Sequence, residues 1–244
     1  MTIAQMMVPT VPFGRIQGRV ARLWDPFERN AFMVVVGITG SGKSHLMRYG
    51  ILPLRSYSRT VVIDVKDDRD SVWAGFGQPV AELAPAFFRT GSKEHPAVWR
   101  VIVNRANAQA QLRRIFEQIR SEGHCVLVMD ESRSITEREQ IGLGSAVENL
   151  ITEGRGLGVS MIMGAQSTAW AVSALKDQAA CLWIGQSSGR DQALALAKIA
   201  GYGRDLAPVI EAIPARRWLY RDKWEGAPIL ALTDSPAESL TPRA

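Results

Sequence analysis

Apolar and polar positions along this chain fall into blocks more than into strict alternation. Short, largely β-branched apolar runs occur at Phe32–Val36, 60–65, 98–103, Cys125–Met129, 159–163 and Cys181–Ile184. Continuous runs of this kind fit strands buried on both faces, as in a parallel sheet. Between them lie segments of helical period. In 107–122, Leu112, Ile115, Phe116 and Ile119 share one face, while Arg113, Arg114, Glu117 and Arg120 lie away from it, and Gly123 closes the helix. Further helices are expected at 43–51, ended by Pro53, and near 145–153, 191–200 and 205–213. Short strands are expected near 14–23, Gln78–Val80, 218–220 and 228–232. The stretch 70–97 is irregular, punctuated by glycines and prolines. Alternating strand and helix imply an α/β fold, a mainly parallel sheet flanked by helices. The expected organisation is an N-terminal arm or short strand region (1–30), one large domain (31–232) and a frayed tail (233–244).

The chemistry starts at the end of the first core run. Gly37-Ile38-Thr39-Gly40-Ser41-Gly42-Lys43-Ser44 has the G-x-x-x-x-G-K-[ST] form between an apolar strand and a helix. Glycines let backbone N–H groups turn inward around an anion, and the following helix presents its free N–H groups to phosphates. Lys43 is expected at the β/γ-phosphates and Ser44 at Mg²⁺, with the cradle running on to His45. The pattern implies nucleotide binding.

The run Cys125–Met129 delivers Asp130 and Glu131 to a strand end. Asp130 suits a magnesium site, and Glu131 suits a base that orients or deprotonates an attacking water. A small-molecule kinase does not need such a base for water, and gains by excluding water. Gln166 follows the strand at 159–163, which in NTPases of this strand order lies between the phosphate-loop strand and the acid strand. It reads as a γ-phosphate sensor or as a glutamine in a surface turn. Arg155, in the turn Gly154-Arg155-Gly156-Leu157-Gly158, reads either as an arginine finger offered to the next subunit or as a helix C-cap.

Composition narrows this little. The 244 residues carry ordinary hydrophobic and charged fractions, a net charge of +5 and no apolar run long enough to span a bilayer. Cys125 and Cys181 sit in apolar runs, which fits buried thiols in a reducing cytoplasm, and His45, His95 and His124 form no zinc spacing. Arg15, Arg19, Arg22 and Arg29 could meet nucleic acid or a neighbouring subunit, or form a solvated lead-in.

Taken together, the blocks 37–44, 61–66, 126–131 and 154–167 resemble the FtsK–HerA superfamily of ring-forming DNA-pumping ATPases, over roughly residues 30–232. The last block is similar to the family's R-x-x-G-(apolar run)-x-Q segment. The resemblance implies a RecA/ASCE-like P-loop NTPase fold, ATP and Mg²⁺ as cofactors, Glu131 as catalytic base, Lys43 at the phosphates, Gln166 as sensor and Arg155 as inter-subunit finger. It also implies a homo-oligomeric ring, a hexamer, acting without sequence preference on double-stranded DNA. The cell-division members' membrane segments and winged helix are missing, and 70–97 leaves little room for the coupling proteins' all-α insert. The near-minimal format is similar to viral and phage genome-packaging ATPases. That implies a host-cytoplasmic or virion-associated motor, with a capsid or membrane partner for attachment. Plasmid transfer or chromosome segregation is the rival within the class; a P-loop kinase or a nucleotide-gated assembly protein is the rival outside it. For DNA contact, the polar segment 132–144 offers Arg133 and Arg138, against a reading as a solvated loop.

Overall fold

A computed structural model describes residues 8–24, 30–55, 59–65, 72–89, 97–137, 139–154, 156–166, 178–224 and 230–236. The strands are β1 (Phe32–Val36), β2 (Thr60–Asp64), β3 (Gln78–Val80), β4 (Val98–Ile102), β5 (Cys125–Met129), β6 (Val159–Ala165), β7 (Cys181–Ile184), β8 (Arg217–Asp222) and β9 (Leu230–Asp234). The helices are α1 (Phe13–Leu23), α2 (Lys43–His45), α3 (Ala108–Glu122), α4 (Ser132–Thr136), α5 (Gly144–Glu153), α6 (Arg190–Ala200) and α7 (Ala207–Glu211).

The strands form one nine-stranded sheet in the order β3-β4-β2-β5-β6-β1-β7-β8-β9. Every pairing from β3 to β7 is parallel, and β8 and β9 close one edge antiparallel. As expected for this class, β6 lies between the phosphate-loop strand β1 and the acid strand β5.

The apolar runs are explained by what covers each face. Alternate residues of one strand enter two separate cores. Val34, Val36, Ile63, Leu127 and Met161 join the core that buries Leu112, Ile115 and Phe116 of α3, Val147 of α5 and Leu196 of α6. Met33, Val35, Val62, Val128 and Ile162 join the other, with Phe13, Ile16 and Val20 of α1 and Leu46, Met47 and Ile51 beyond α2. Both cysteines are free and buried, and burial pushes the Cys125 thiol up to about 12.

Several local expectations are corrected. Residues 14–23 form helix α1, not a strand. Phe13, Ile16 and Val20 recur at helical spacing and are buried, so the basic lead-in is not solvated on that face. Arg19 donates to both carboxylate oxygens of Asp222 at 2.5 and 3.1 Å, and Tyr220 Oη donates to the same group at 2.9 Å. Beyond α2 the helix widens into a π turn, Leu46–Ile51, and tightens into a 3-10 turn, Leu52–Arg55. Pro53 lies just beyond the expected end at 51. It occupies the start of a fresh turn, where an N–H has no intrahelical partner. The helix expected over 205–213 is a 3-10 turn, Gly203–Leu206, followed by the short α7. Within the polar segment, 132–136 is helical (α4). Thr233 and Asp234 continue β9, paired with Trp218 and Arg217.

Candidate nucleotide-binding site

The glycine-rich loop leaves β1 between the ends of its two neighbours. Gly37 N donates to Ala165 O of β6 at 3.1 Å, and Ile38 N to Gln186 O, beyond β7, at 3.0 Å. Gly40 and Gly42 have φ of 81° and 94°, in the left-handed region where a Cβ is strained. The loop closes on its own lysine. Lys43, 7% exposed, donates from Nζ to Gly37 O at 2.8 Å and Ile38 O at 2.9 Å.

The acid strand delivers its residues beside this loop. Ser44 Oγ donates to Asp130 Oδ2 at 2.5 Å. The same oxygen accepts from Trp73 Nε1 at 2.9 Å. β6 passes so close that a Cβ on Gly164 would clash with the Asp130 carbonyl oxygen, so only glycine fits there. Glu131 Oε1 accepts from Gln166 Nε2 at 2.6 Å, and Gln166 Oε1 accepts from Thr39 Oγ1 at 3.3 Å. The backbone of Gln166 is held in turn, its carbonyl accepting from Gln192 Nε2 of α6 at 2.8 Å.

These groups enclose a cavity of about 380 Å³ lined by Thr39, Gly40, Gly42, Lys43, Ser44, His45, Val72, Asp130, Glu131, Gln166 and Arg216. Most of the residues singled out in the sequence thus meet in one place. Gly37 and Ile38 stand behind it as acceptors for Lys43, and Ser41 is buried beneath the loop. Arg133 is elsewhere, exposed on α4 and paired with Glu137 at 2.6 Å. Arg138 and Arg155 lie outside the described residues.

Trp73 and Arg216 were not singled out in the sequence. Trp73 comes from the irregular stretch before β3, where it is buried among apolar residues and edge-on to Phe76. Arg216 comes from the turn before β8. Neither belongs to a motif; the only signal was a tryptophan in a Gly/Pro-rich segment and a pair of arginines ahead of an apolar run.

The site is suited to hold the phosphates of a nucleotide: a glycine-rich loop, a buried lysine, and a hydroxyl–carboxylate pair of hard oxygen donors. Fold and site together define a P-loop NTPase. A family model described as Novel STAND NTPase 1 matches residues 10–152, and the chain belongs to that family. No curated protein matches the chain in sequence.

Among solved structures, the fold is similar to the genome packaging NTPase B204 from Sulfolobus turreted icosahedral virus 2 in complex with AMPPCP. The TM-score is 0.63 at 16% identity, over 87% of this chain and 99% of that one. It is also similar to VirB4 of Thermoanaerobacter pseudethanolicus (TM-score 0.60, 13% identity, 89% and 94% covered). A third similar structure is the bacterial conjugative coupling protein TrwBdeltaN70 (TM-score 0.57, 12% identity, 95% and 93% covered). The resemblance read from the motifs is matched by these structures at the level of the fold.

Proposed function

We propose that this chain is an ATP-hydrolysing double-stranded DNA translocase that works as a homo-oligomeric ring and packages a viral or phage genome. The observation that carries hydrolysis is the bridge from Glu131 to Gln166 and on to Thr39 across the mouth of the phosphate loop. A carboxylate held by a sensor glutamine, one residue beyond the Asp130 that faces Ser44, is placed to orient a water and take its proton. Lys43, already turned across the loop, supplies positive charge along the phosphates. Ser44 and Asp130 would hold Mg²⁺, which when bound neutralises charge on the β- and γ-phosphates. Among the described residues no group of three or more His, Cys, Asp or Glu side chains is gathered for a metal. A magnesium site completed by phosphates and waters needs no such group.

The motor part of the reading is supported by the fold. A packaging NTPase superposes along nearly its whole length. The likeness to VirB4 and a coupling protein supports plasmid transfer as a second reading. Among the described residues no helix is long and apolar enough to cross a membrane.

The test is steady-state ATPase activity with and without long duplex DNA, combined with displacement of a triplex-forming strand from that duplex. Stimulation that falls steeply with salt, together with ATP-dependent displacement, is expected, because phosphate neutralisation releases counterions. Hydrolysis indifferent to DNA at every salt concentration would sink the motor and leave a nucleotide-gated assembly protein.

A further inference from the structure

The turn that enters β8 is tied to the phosphate loop. Arg216 has φ of 62°, and with His124 it is one of two non-glycine residues in the left-handed region among the described residues. Such a conformation persists where the surroundings impose it. Here three hydrogen bonds do so. Arg216 N donates to Ser41 O in the loop at 3.3 Å. Arg216 O accepts from Ser235 N at 2.9 Å and from Ser235 Oγ at 2.8 Å, at the end of β9.

This backbone puts the side chain over the loop. A Cβ on Gly42 would lie 3.7 Å from Arg216 Cγ, and Arg216 lines the cavity with Lys43. The next residue, Arg217, is neutralised by Asp234 at 2.7 Å. Among the described residues the Arg216 guanidinium makes no hydrogen bond or ion pair. A strained backbone thus holds an unneutralised cation at the wall of an anion site.

The lining falls into two groups of contacts. Thr39 bonds to Gln166, which bonds to Glu131. Gly42 lies against Arg216, and His45 Nε2 lies 3.2 Å from Pro236 O. We propose that Arg216 is a nucleotide-binding residue, the second cation beside Lys43, which contacts the diphosphate portion common to ATP and ADP. This rests on the reading of the cavity as a nucleotide site. A planar guanidinium with five donors suits that role, since it can serve two phosphate oxygens at once.

The experiment is equilibrium titration of ADP and of AMPPCP, with Mg²⁺, into the full chain and its Arg216→Asn, Arg216→Lys and Lys43→Ala variants. Asparagine tolerates the left-handed conformation, so Arg216→Asn should keep the fold, checked by thermal melting. Losing a charge-assisted contact should weaken ADP and AMPPCP by the same factor, roughly ten- to a hundredfold. Arg216→Lys should recover part of that loss. In hydrolysis assays KM should rise by a similar factor, with kcat changing less. Loss confined to AMPPCP would place the residue at the γ-phosphate and overturn the proposal. Wild-type affinity for both ligands in Arg216→Asn, with Lys43→Ala weakened, would overturn it alone. Wild-type affinity in Lys43→Ala as well would remove the nucleotide site on which it rests.

Discussion

Glu131 and Asp130 are neighbours in sequence but are held by different parts of the fold. Gln166 grips Glu131 at 2.6 Å, while Ser44 and Trp73 converge on one oxygen of Asp130. Their substitutions should therefore fail differently. Glu131→Gln keeps shape and loses the base, so it should bind ATP nearly normally while kcat falls about 10²–10⁴-fold. Single-turnover and binding assays separate the two effects; collapsed affinity with unchanged turnover per bound ATP would make Glu131 a binding residue. Trp73→Phe removes the indole N–H and trims the ring system at a buried site. It should leave the fold intact and raise the Mg²⁺ concentration needed for half-maximal nucleotide binding, with turnover down roughly tenfold, as for other residues that orient a metal ligand. An unshifted Mg²⁺ dependence would confine Trp73 to packing. Asp130 and Glu131 were readable because strand, acid and spacing are contiguous. Trp73 was not, because its contact with Asp130 spans 57 residues of chain and no periodicity encodes it.

Among the elements, α1 departs furthest from its expected form. A short strand is expected there, while the buried positions Phe13, Ile16 and Val20 follow the helical repeat. The helix is latched to the antiparallel edge through Arg19 and Asp222, whose side chain is 0% exposed and whose partner keeps 15% exposure. The hydrogen bond to Asp222 raises the Arg19 pKa, so the guanidinium stays charged at every working pH. Among the described residues, Arg19→Ala would leave the buried carboxylate with only the Tyr220 hydroxyl to answer it. The expected loss is about 3 kcal/mol, at the low end for a broken buried pair because water still reaches Arg19. Urea denaturation measures it, and Asp222→Asn, which retains hydrogen-bonding capacity without the charge, should be the milder change. An unchanged urea midpoint in Arg19→Ala would mean that apolar packing alone holds α1.

At the scale of the whole molecule, the two flanks of residue 155 stand at the far end of the sheet from the nucleotide cavity. Gly154 receives the first backbone bond of β6, from Val159 N at 2.8 Å, whereas the cavity lies beyond the other end of that seven-residue strand. A strand of that length spans about 20 Å. If Arg155 acts in trans, specific activity should rise with protein concentration as rings form. Arg155→Ala and Lys43→Ala subunits, each inactive alone, should regain partial activity when mixed, since some interfaces then pair a sound loop with a sound finger. No recovery in mixtures that sedimentation shows to be rings would make Arg155 a local cap. The sequence alone determined the phosphate loop, the acid pair and the buried strands, because each is a property of adjacent residues: a turn needs its glycines, and a strand covered on both faces needs a continuous apolar run. Only the tertiary structure decided that Trp73 reaches Asp130, that Arg19 meets Asp222 and that Arg216 rests on the loop at Ser41. Those pairs depend on which element packs over which end of the sheet. Local periodicity reports that a face is buried and carries no record of the partner that buries it.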